Sequence, residues 1–332
     1  MATERTLALA RVASLTGEAA RAPGLLGTAT AWHLGGGGGA WRTRLALECA
    51  DALGVARADA ASLAAACELV HQASIVHDDA QDDAASRRGR ASVAARFGLP
   101  AAICVGDHLL AASFAVLAER PATCGLIRLF AARVAEMAAG QAEEFAPSLW
   151  EGMTPDRYHA LARGKAGAAV ALPIEGASLL AGLSAPDVAA AGGVGHALGV
   201  SYQVGDDAAD LCADLARGAP NGVVAHALHA APPAERAALL ALLARARRDG
   251  LAPGEAGAEA RRLAPHAPRA ARWARALLDS SLAELGVAGT GDGGTGDGGA
   301  AGQGAHRLAP VLFPAAAALA LRLHEPAQPH AA

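Results

Sequence analysis

The chain has 332 residues, of which 53% are hydrophobic, 18% charged and 3% aromatic, with 39 glycines and 17 prolines. So large an apolar share excludes a mostly disordered chain, and so few aromatic and β-branched residues argue against a large β-sandwich or barrel, whose pleated surfaces need them. The net charge of −4 leaves no basic footprint for nucleic acid.

Alanine and leucine recur at three- and four-residue spacing, and the breaks fall at glycine and proline. Helices are therefore predicted over 3–20, 42–53, 58–79, 101–118, 123–148, 155–183, 186–214, 234–248 and 268–285. No stretch alternates as a strand would, so the expected fold is all-α, a bundle of long helices. Gly35 to Gly39 form a flexible loop ahead of Arg42. We expect a helical domain over 1–285 and a low-complexity linker over 286–305, marked by its repeated Thr-Gly-Asp-Gly-Gly. A C-terminal segment over 306–332 follows, whose apolar helix (309–323) is broken early by Pro314.

Cys49, Cys67, Cys104, Cys124 and Cys212 stand singly in apolar surroundings without a Cys-x-x-Cys pair, and read as small core residues of a reducing compartment. The first thirty residues lack a signal-peptide core, and no window of about 18 uninterrupted apolar residues occurs. A cytoplasmic protein without a transmembrane segment is expected.

Ile75-Val-His-Asp-Asp-Ala-Gln-Asp-Asp closes a long apolar helix and places Asp78, Asp79 and Asp82 at i, i+1 and i+4. Asp78 and Asp82 then share one helix face. Like charges so placed repel, and a divalent cation removes the conflict. Magnesium suits such oxygens, because it keeps several waters and completes its shell with phosphates. For one such cluster a solvated helix end is the alternative. A second cluster, Asp206, Asp207 and Asp210 in Tyr202-Gln-Val-Gly-Asp-Asp-Ala-Ala-Asp, again closes an apolar helix. Two such faces on separate helices are suited to hold two or three magnesium ions around one diphosphate and to make it a leaving group. Arg87 and Arg88 follow the first cluster, and Arg42 and Arg44 follow the glycine run. The chain's single lysine, Lys165, lies between the clusters, where a compact ammonium suits a point contact with phosphate.

In these residues the sequence resembles the trans-isoprenyl diphosphate synthase (polyprenyl synthase) family, over roughly residues 35–285. Besides the two aspartate motifs, Glu68-Leu-Val-His-Gln-Ala-Ser leads into the first of them. Arg87-Arg-Gly-Arg, Val105-Gly-Asp-His-Leu-Leu, Gln141-Ala-Glu-Glu and Gly164-Lys-Ala-Gly also fall in family order. The resemblance implies an isoprenoid-synthase-like helical bundle around a central cavity, working as a homodimer or as a heteromer with a related subunit. It implies ionisation of an allylic prenyl diphosphate, attack on the cation by the alkene of isopentenyl diphosphate, and loss of a proton to the departed diphosphate. By motif position, Asp78, Asp79, Asp82, Asp206, Asp207 and Asp210 would hold magnesium. Arg87, Lys165 and Gln203 would contact the allylic diphosphate, and Arg42, His71 and Arg88 isopentenyl diphosphate.

Two departures stand out. The family's Gly-Gly-Lys-Arg-x-Arg-Pro has become Gly39-Ala-Trp-Arg-Thr-Arg-Leu, with Trp41 where a lysine is expected. After Asp210 the loop is shortened, and Ala219 and Asn221 stand at the positions of a lysine and a threonine. Each lost charge-assisted contact is worth about 1.5–3 kcal/mol, and Arg44 or magnesium is left to compensate. Four and five residues before the first aspartate stand Ser74 and Ala73, where bulky side chains block the product tunnel of short-chain family members. Products of twenty carbons or more are expected. A terpene cyclase or a prenyltransferase to another acceptor on the same fold is the second reading, and a non-catalytic subunit the third.

Overall fold

The computed structural model describes residues 2–37, 41–285, 305–312 and 314. These residues are helical almost throughout and form two compact units interleaved in sequence. Of the described residues, the first unit comprises 2–37, 41–134, 172–189 and 305–311, the second 135–171, 190–285, 312 and 314.

In the first unit run α1 (Ala2–Ala19), α2 (Gly24–Leu34), α3 (Trp41–Leu53) and α4 (Arg57–Gln81). A hairpin of β1 (Ser86–Arg87) and β2 (Arg90–Ala91) follows, then α5 (Val93–Phe97), α6 (Leu99–Ala118), α7 (Pro121–Cys124) and the first part of α8 (Ile127–Glu144). The 25-residue α4 is the axis, packed against α1, α3 and α6. Its run from Ala60 to Cys67 is buried without a break because alanine lets neighbouring helices approach on every side. Gly106 of α6 serves the same end: a Cβ there would overlap the His77 ring of α4. The fully buried Leu63, Leu69, Leu109 and Leu117 fill the space between. A two-pronged pair between Arg133 and the buried Glu175, 2.7 Å at each prong, ties residues 172–189 to this unit.

The second unit holds the rest of α8, then α9 (Pro155–Ala162), a π-helical turn (Arg163–Gly167), α10 (Ala168–Leu180) and α11 (Ala185–Ala209), the last two entering it in part. It continues with α12 (Leu211–Arg217), α13 (Gly222–Ala230), α14 (Pro233–Asp249), α15 (Pro253–Leu263) and α16 (Ala267–Glu284). Its core joins Leu149, Trp150, Met153 and Tyr158 to Val204, Leu211, Leu215, Val223, Leu228, Leu243 and Leu263. Thr154 caps α9 by accepting from the Arg157 N–H. Gly218, left-handed at φ 62°, closes α12, and Trp150 Nε1 donates to its carbonyl at 3.0 Å.

The all-α expectation holds, with local corrections. The predicted helix 123–148 is broken at Gly125 into α7 and α8, 155–183 contains the π turn, and 186–214 is interrupted at Asp210. Helices α2, α5, α13 and α15 are additional. Glycine and β-branched residues hid α13 and α15, which capping by Asn221 and docking onto neighbouring helices stabilise nonetheless. The hairpin is additional too, since two-residue strands are too short to alternate. Cys49 and Cys67 are buried as expected, whereas Cys104, Cys124 and Cys212 are exposed, because each falls on the outer face of its helix.

Among the described residues α6 is long and apolar enough to cross a bilayer by length and composition, but 44% of that window is buried and it packs along α4. Residues 309–312 and 314 are helical. The rest of the predicted C-terminal helix, most of the predicted linker, and Gly38 and Gly39 lie outside the described residues.

Candidate active site

In the first unit α4 ends in the first aspartate motif. Asp78 is half-buried, Asp79 is 2% exposed, and Asp82, which closes the helix, is exposed. Asp79 points inward and accepts from Arg87 Nε at 2.9 Å and Nη2 at 2.5 Å. That ion pair answers its burial, and Asp78 and Asp82 add to the field that raises the Arg87 pKa against the opposing cost of burial. One turn before Asp78, Ser74 Oγ donates to the His71 carbonyl, and Ala73 is wholly buried.

Arg87 is carried by the hairpin, whose two-residue turn Arg88-Gly89 has φ 52° and 73°, both left-handed as a tight antiparallel turn requires. Arg88 donates to the Gly37 carbonyl at the end of the segment following α2. On the facing helix, Arg42 Nη1 lies 3.1 Å from His71 Nε2. A guanidinium only donates, so Nε2 accepts and the ring is neutral. Burial, then the charges of Arg42 and Arg88, hold its pKa far below the ordinary value. Glu68 locks the same surface, accepting from Thr43 at 2.8 Å and from Gln72 at 2.6 Å. His33, to which the sequence assigns no role, lies beside Gln72 with its Nε2 buried, and burial lowers its pKa. Arg44 is half-buried on α3, and Trp41 is 38% exposed at its start.

The second unit repeats the first motif's pattern. The 25-residue α11 ends at Ala209, with Asp206 half-buried, Asp207 2% exposed and Asp210 exposed just beyond the helix end. Here the inner carboxylate is met by neutral donors. Asp207 accepts from Tyr158 Oη and the Gly222 N–H, both at 2.5 Å, and from Gln203 Nε2 at 2.8 Å. Burial pushes its pKa up to about 7 against the pull of these bonds. Asn221 is also wholly buried. Its side chain caps α13, donating to the Asp207 carbonyl at 2.7 Å and to Asp214 Oδ2 at 2.9 Å.

Lys165 sits in the π turn, a distortion frequent at functional positions. Its Nζ donates to Glu144 Oε2 at 2.8 Å. The π turn approaches α8 backbone to backbone: a Cβ on Gly140 would stand 2.6 Å from the Lys165 nitrogen and 2.9 Å from the Gly164 carbonyl carbon.

The predicted residues thus form two groups, each within its own unit. Asp78, Asp79, Asp82, Arg87 and Arg88 stand with Arg42 and His71, and Asp206, Asp207 and Asp210 with Gln203. Lys165 is paired with Glu144. The sequence did not single out Tyr158, although it is one of two tyrosines and lies seven residues, two helical turns, before Lys165. Nor did it single out His77, whose ring lies 3.5 Å from Asp107 of α6.

Among the described residues no three His, Cys, Asp or Glu side chains gather into a closed metal site. What each motif offers instead is one half-buried and one exposed carboxylate one turn apart. That donor set fits an open magnesium site, in which waters and phosphate oxygens complete the shell.

An all-α chain in which two long helices each end in an Asp-Asp-x-x-Asp face, with an arginine paired to the inner aspartate of the first, belongs to the isoprenoid-synthase class of folds. A model of the polyprenyl synthetase family matches residues 25–251. The chain belongs to that family, whose members are prenyltransferases. A geranylgeranyl diphosphate synthase of Cereibacter sphaeroides is 34% identical over 251 residues, spanning 71% of this chain and 82% of its own. The crystal structure of a decaprenyl diphosphate synthase from Rhodobacter capsulatus superposes with a TM-score of 0.80 at 23% identity over 98% of each chain. A polyprenyl synthase from Caulobacter crescentus, complexed with calcium and isoprenyl diphosphate, does so with a TM-score of 0.71 at 21% identity over 94% of each.

Proposed function

We propose that this chain condenses isopentenyl diphosphate with an allylic prenyl diphosphate, in the presence of magnesium, to give a longer trans-polyprenyl diphosphate. The observation carrying this reading is the burial pattern shared by the two motifs. In each, the middle aspartate is bonded inward and the outer two, the first half-buried and the second exposed, lie one turn apart.

Of the six aspartates expected to hold magnesium, Asp79 and Asp207 are engaged inward and would fix the helix ends, leaving Asp78, Asp82, Asp206 and Asp210 to hold two or three ions. When bound, the ions neutralise the charge that builds on the departing diphosphate. That the Caulobacter crescentus polyprenyl synthase was obtained with calcium and isoprenyl diphosphate supports a role for a divalent ion. Arg87 holds the allylic diphosphate, its guanidinium already oriented by Asp79. Lys165 and Gln203 complete that contact, Lys165 exchanging Glu144 for a phosphate oxygen. Arg42 and Arg88 hold isopentenyl diphosphate with Arg44 nearby, and the neutral His71 orients Arg42 and keeps its Nδ1–H to donate. As the allylic C–O bond breaks, the alkene of isopentenyl diphosphate attacks the carbon left behind. The resulting cation loses a proton to the released diphosphate.

Ala73 and Ser74 leave the wall before Asp78 without a bulky side chain, which supports products of twenty carbons or more. A homodimer, or a heteromer with a related subunit, is the assembly proposed, since one relative is the second component of a heptaprenyl diphosphate synthase. To test the reading, the purified chain is incubated with magnesium and farnesyl diphosphate, with and without isopentenyl diphosphate. Longer diphosphates, formed only with isopentenyl diphosphate, are expected. Hydrocarbons or alcohols formed without it would overturn condensation, and an inert chain that activates a partner would overturn catalysis. A strict stop at fifteen carbons from geranyl diphosphate would overturn the chain-length argument.

A further inference from the structure

Trp32, in the last turn of α2, is covered largely by cations. The guanidinium carbon of Arg90 lies 3.9 Å, and that of Arg96 3.6 Å, from the centre of its ring. Two groups so close to one centroid can only occupy opposite faces. Phe97 meets the indole edge-on at 6.4 Å, and Nε1 donates to the Ala91 carbonyl at 3.0 Å. One side chain of α2 is thereby fastened to β2 and α5.

The next residues along the chain hold the same hairpin. Arg88 donates to the Gly37 carbonyl, and the Arg90 head lies against Gly36, where a Cβ would stand in ordinary contact with Nη1 at 3.4 Å. The turn itself places Arg88 at φ 52°, a conformation that a long side chain keeps only under constraint.

We propose that Trp32 is a positioning residue for diphosphate binding: its stack with Arg90 and Arg96 clamps the hairpin onto the end of α2 and sets where Arg87 and Arg88 hold their guanidiniums. The proposal rests on the reading of those two arginines as diphosphate ligands. It also gives a reason for arginine at 90 and 96, because a planar guanidinium lies flat on an indole where an ammonium cannot. Without the ring, two like charges lose their separator and the hairpin loses its fastening to α2.

The test compares wild type with Trp32→Ala, Trp32→Phe and the surface variant Arg96→Met. Three measurements are made: steady-state kinetics, hydrogen exchange across 84–98, and calorimetric binding of inorganic pyrophosphate with magnesium. In Trp32→Ala the KM for isopentenyl diphosphate should rise about tenfold with kcat within about twofold, the size expected for losing a double cation–π contact. Exchange at the hairpin should quicken and pyrophosphate binding weaken, with Trp32→Phe recovering most of each loss and Arg96→Met falling between. The proposal is overturned by wild-type exchange at the hairpin in a folded Trp32→Ala chain, by a fall in kcat at unchanged KM, or by Trp32→Phe behaving no better than Trp32→Ala. Should the alanine variant not fold, Trp32→Phe and Arg96→Met decide by the same readouts. A wild-type chain that fails to condense the substrates would sink the functional reading instead, and the exchange and pyrophosphate measurements would still decide the role of Trp32.

Discussion

Replacing Asp207 with alanine should cost stability, whereas the same change at its neighbour Asp206 should cost chiefly activity. Asp207→Ala leaves three donors, Tyr158 Oη, Gln203 Nε2 and the Gly222 N–H, facing a space that held a carboxylate. A buried donor left unsatisfied costs about 1–3 kcal/mol. Gln203 is half-buried and can turn to water, so the Tyr158 and Gly222 donors dominate. The carboxylate's own desolvation, which raises its pKa to about 7, is relieved in the variant and offsets part of the loss. A net destabilisation of about 3 kcal/mol remains, or roughly 6–12 °C in Tm for a unit of this size. Asp207→Asn keeps an acceptor for Tyr158 and Gly222, needs only a turn of the Gln203 amide, and should lose about 1 kcal/mol or less. Asp206→Ala removes a half-buried carboxylate outside the three inward bonds of Asp207 and should cost clearly less than Asp207→Ala. Thermal melts at pH 7 without metal, alongside turnover with magnesium, read all three. Equal melts for Asp206→Ala and Asp207→Ala, or a larger loss at Asp206, would refute the division into inner and outer carboxylates.

Trp41→Lys, made at an exposed position where a lysine was expected, should lower the KM for isopentenyl diphosphate several-fold, by roughly the worth of one charge-assisted contact; an unchanged KM would mean Arg42 and Arg88 already suffice. Gly140→Ala should lose about 1–3 kcal/mol by overpacking and lower kcat by pushing the π turn and Lys165 away, which melts and kinetics on one preparation would reveal. His226 is buried against Trp273, and burial together with Arg269 lowers its pKa from 6.5 to about 4. The unfolded chain therefore takes up a proton that the folded chain refuses, so stability is lost as pH falls from about 6.5 towards 4. His226→Phe should lessen the pH dependence of urea-unfolding free energies in that window, with the shares of His71 and His33 remaining, and an unchanged slope would remove His226 from the account.

Ser74→Phe should shorten the products made from farnesyl diphosphate, as chromatography of the dephosphorylated alcohols would show. Unchanged lengths would place the end of the tunnel elsewhere.

How far each feature could be read from sequence followed from the range of the forces behind it. The helix-closing aspartates are legible because i, i+1, i+4 spacing is a property of one helix, and so is the apolar run of α4 that carries them. Which of three aspartates turns inward is not local. It is decided for Asp79 by Arg87, eight residues on and across a hairpin, and for Asp207 by Tyr158, 49 residues earlier, and Gly222, 15 later. The hairpin escaped notice because Arg88-Gly89 is not a favoured turn pair and its strands are two residues long. Trp32 escaped because nothing in a short helix announces which cations will cover an indole. Helix α13 was hidden by its own composition and exists through the Asn221 cap and its packing on α9 and α16.

The two departures from the family pattern, alike as missing cations, have different physical weight. Asn221 is wholly buried and already committed: it caps α13 and joins the Asp207 carbonyl to the Asp214 carboxylate. The cation is missing two residues earlier, at the half-buried Ala219, whereas Asn221 stands where a threonine is expected and serves as a strut for the second motif. Among the described residues Trp41 makes no such side-chain hydrogen bond. It stands 38% exposed, one residue before Arg42, whose guanidinium is held by a neutral His71. Affinity lost with a cation should therefore be sought at Trp41 and at Ala219, and rigidity at Asn221, whose side chain ties the second motif to α13.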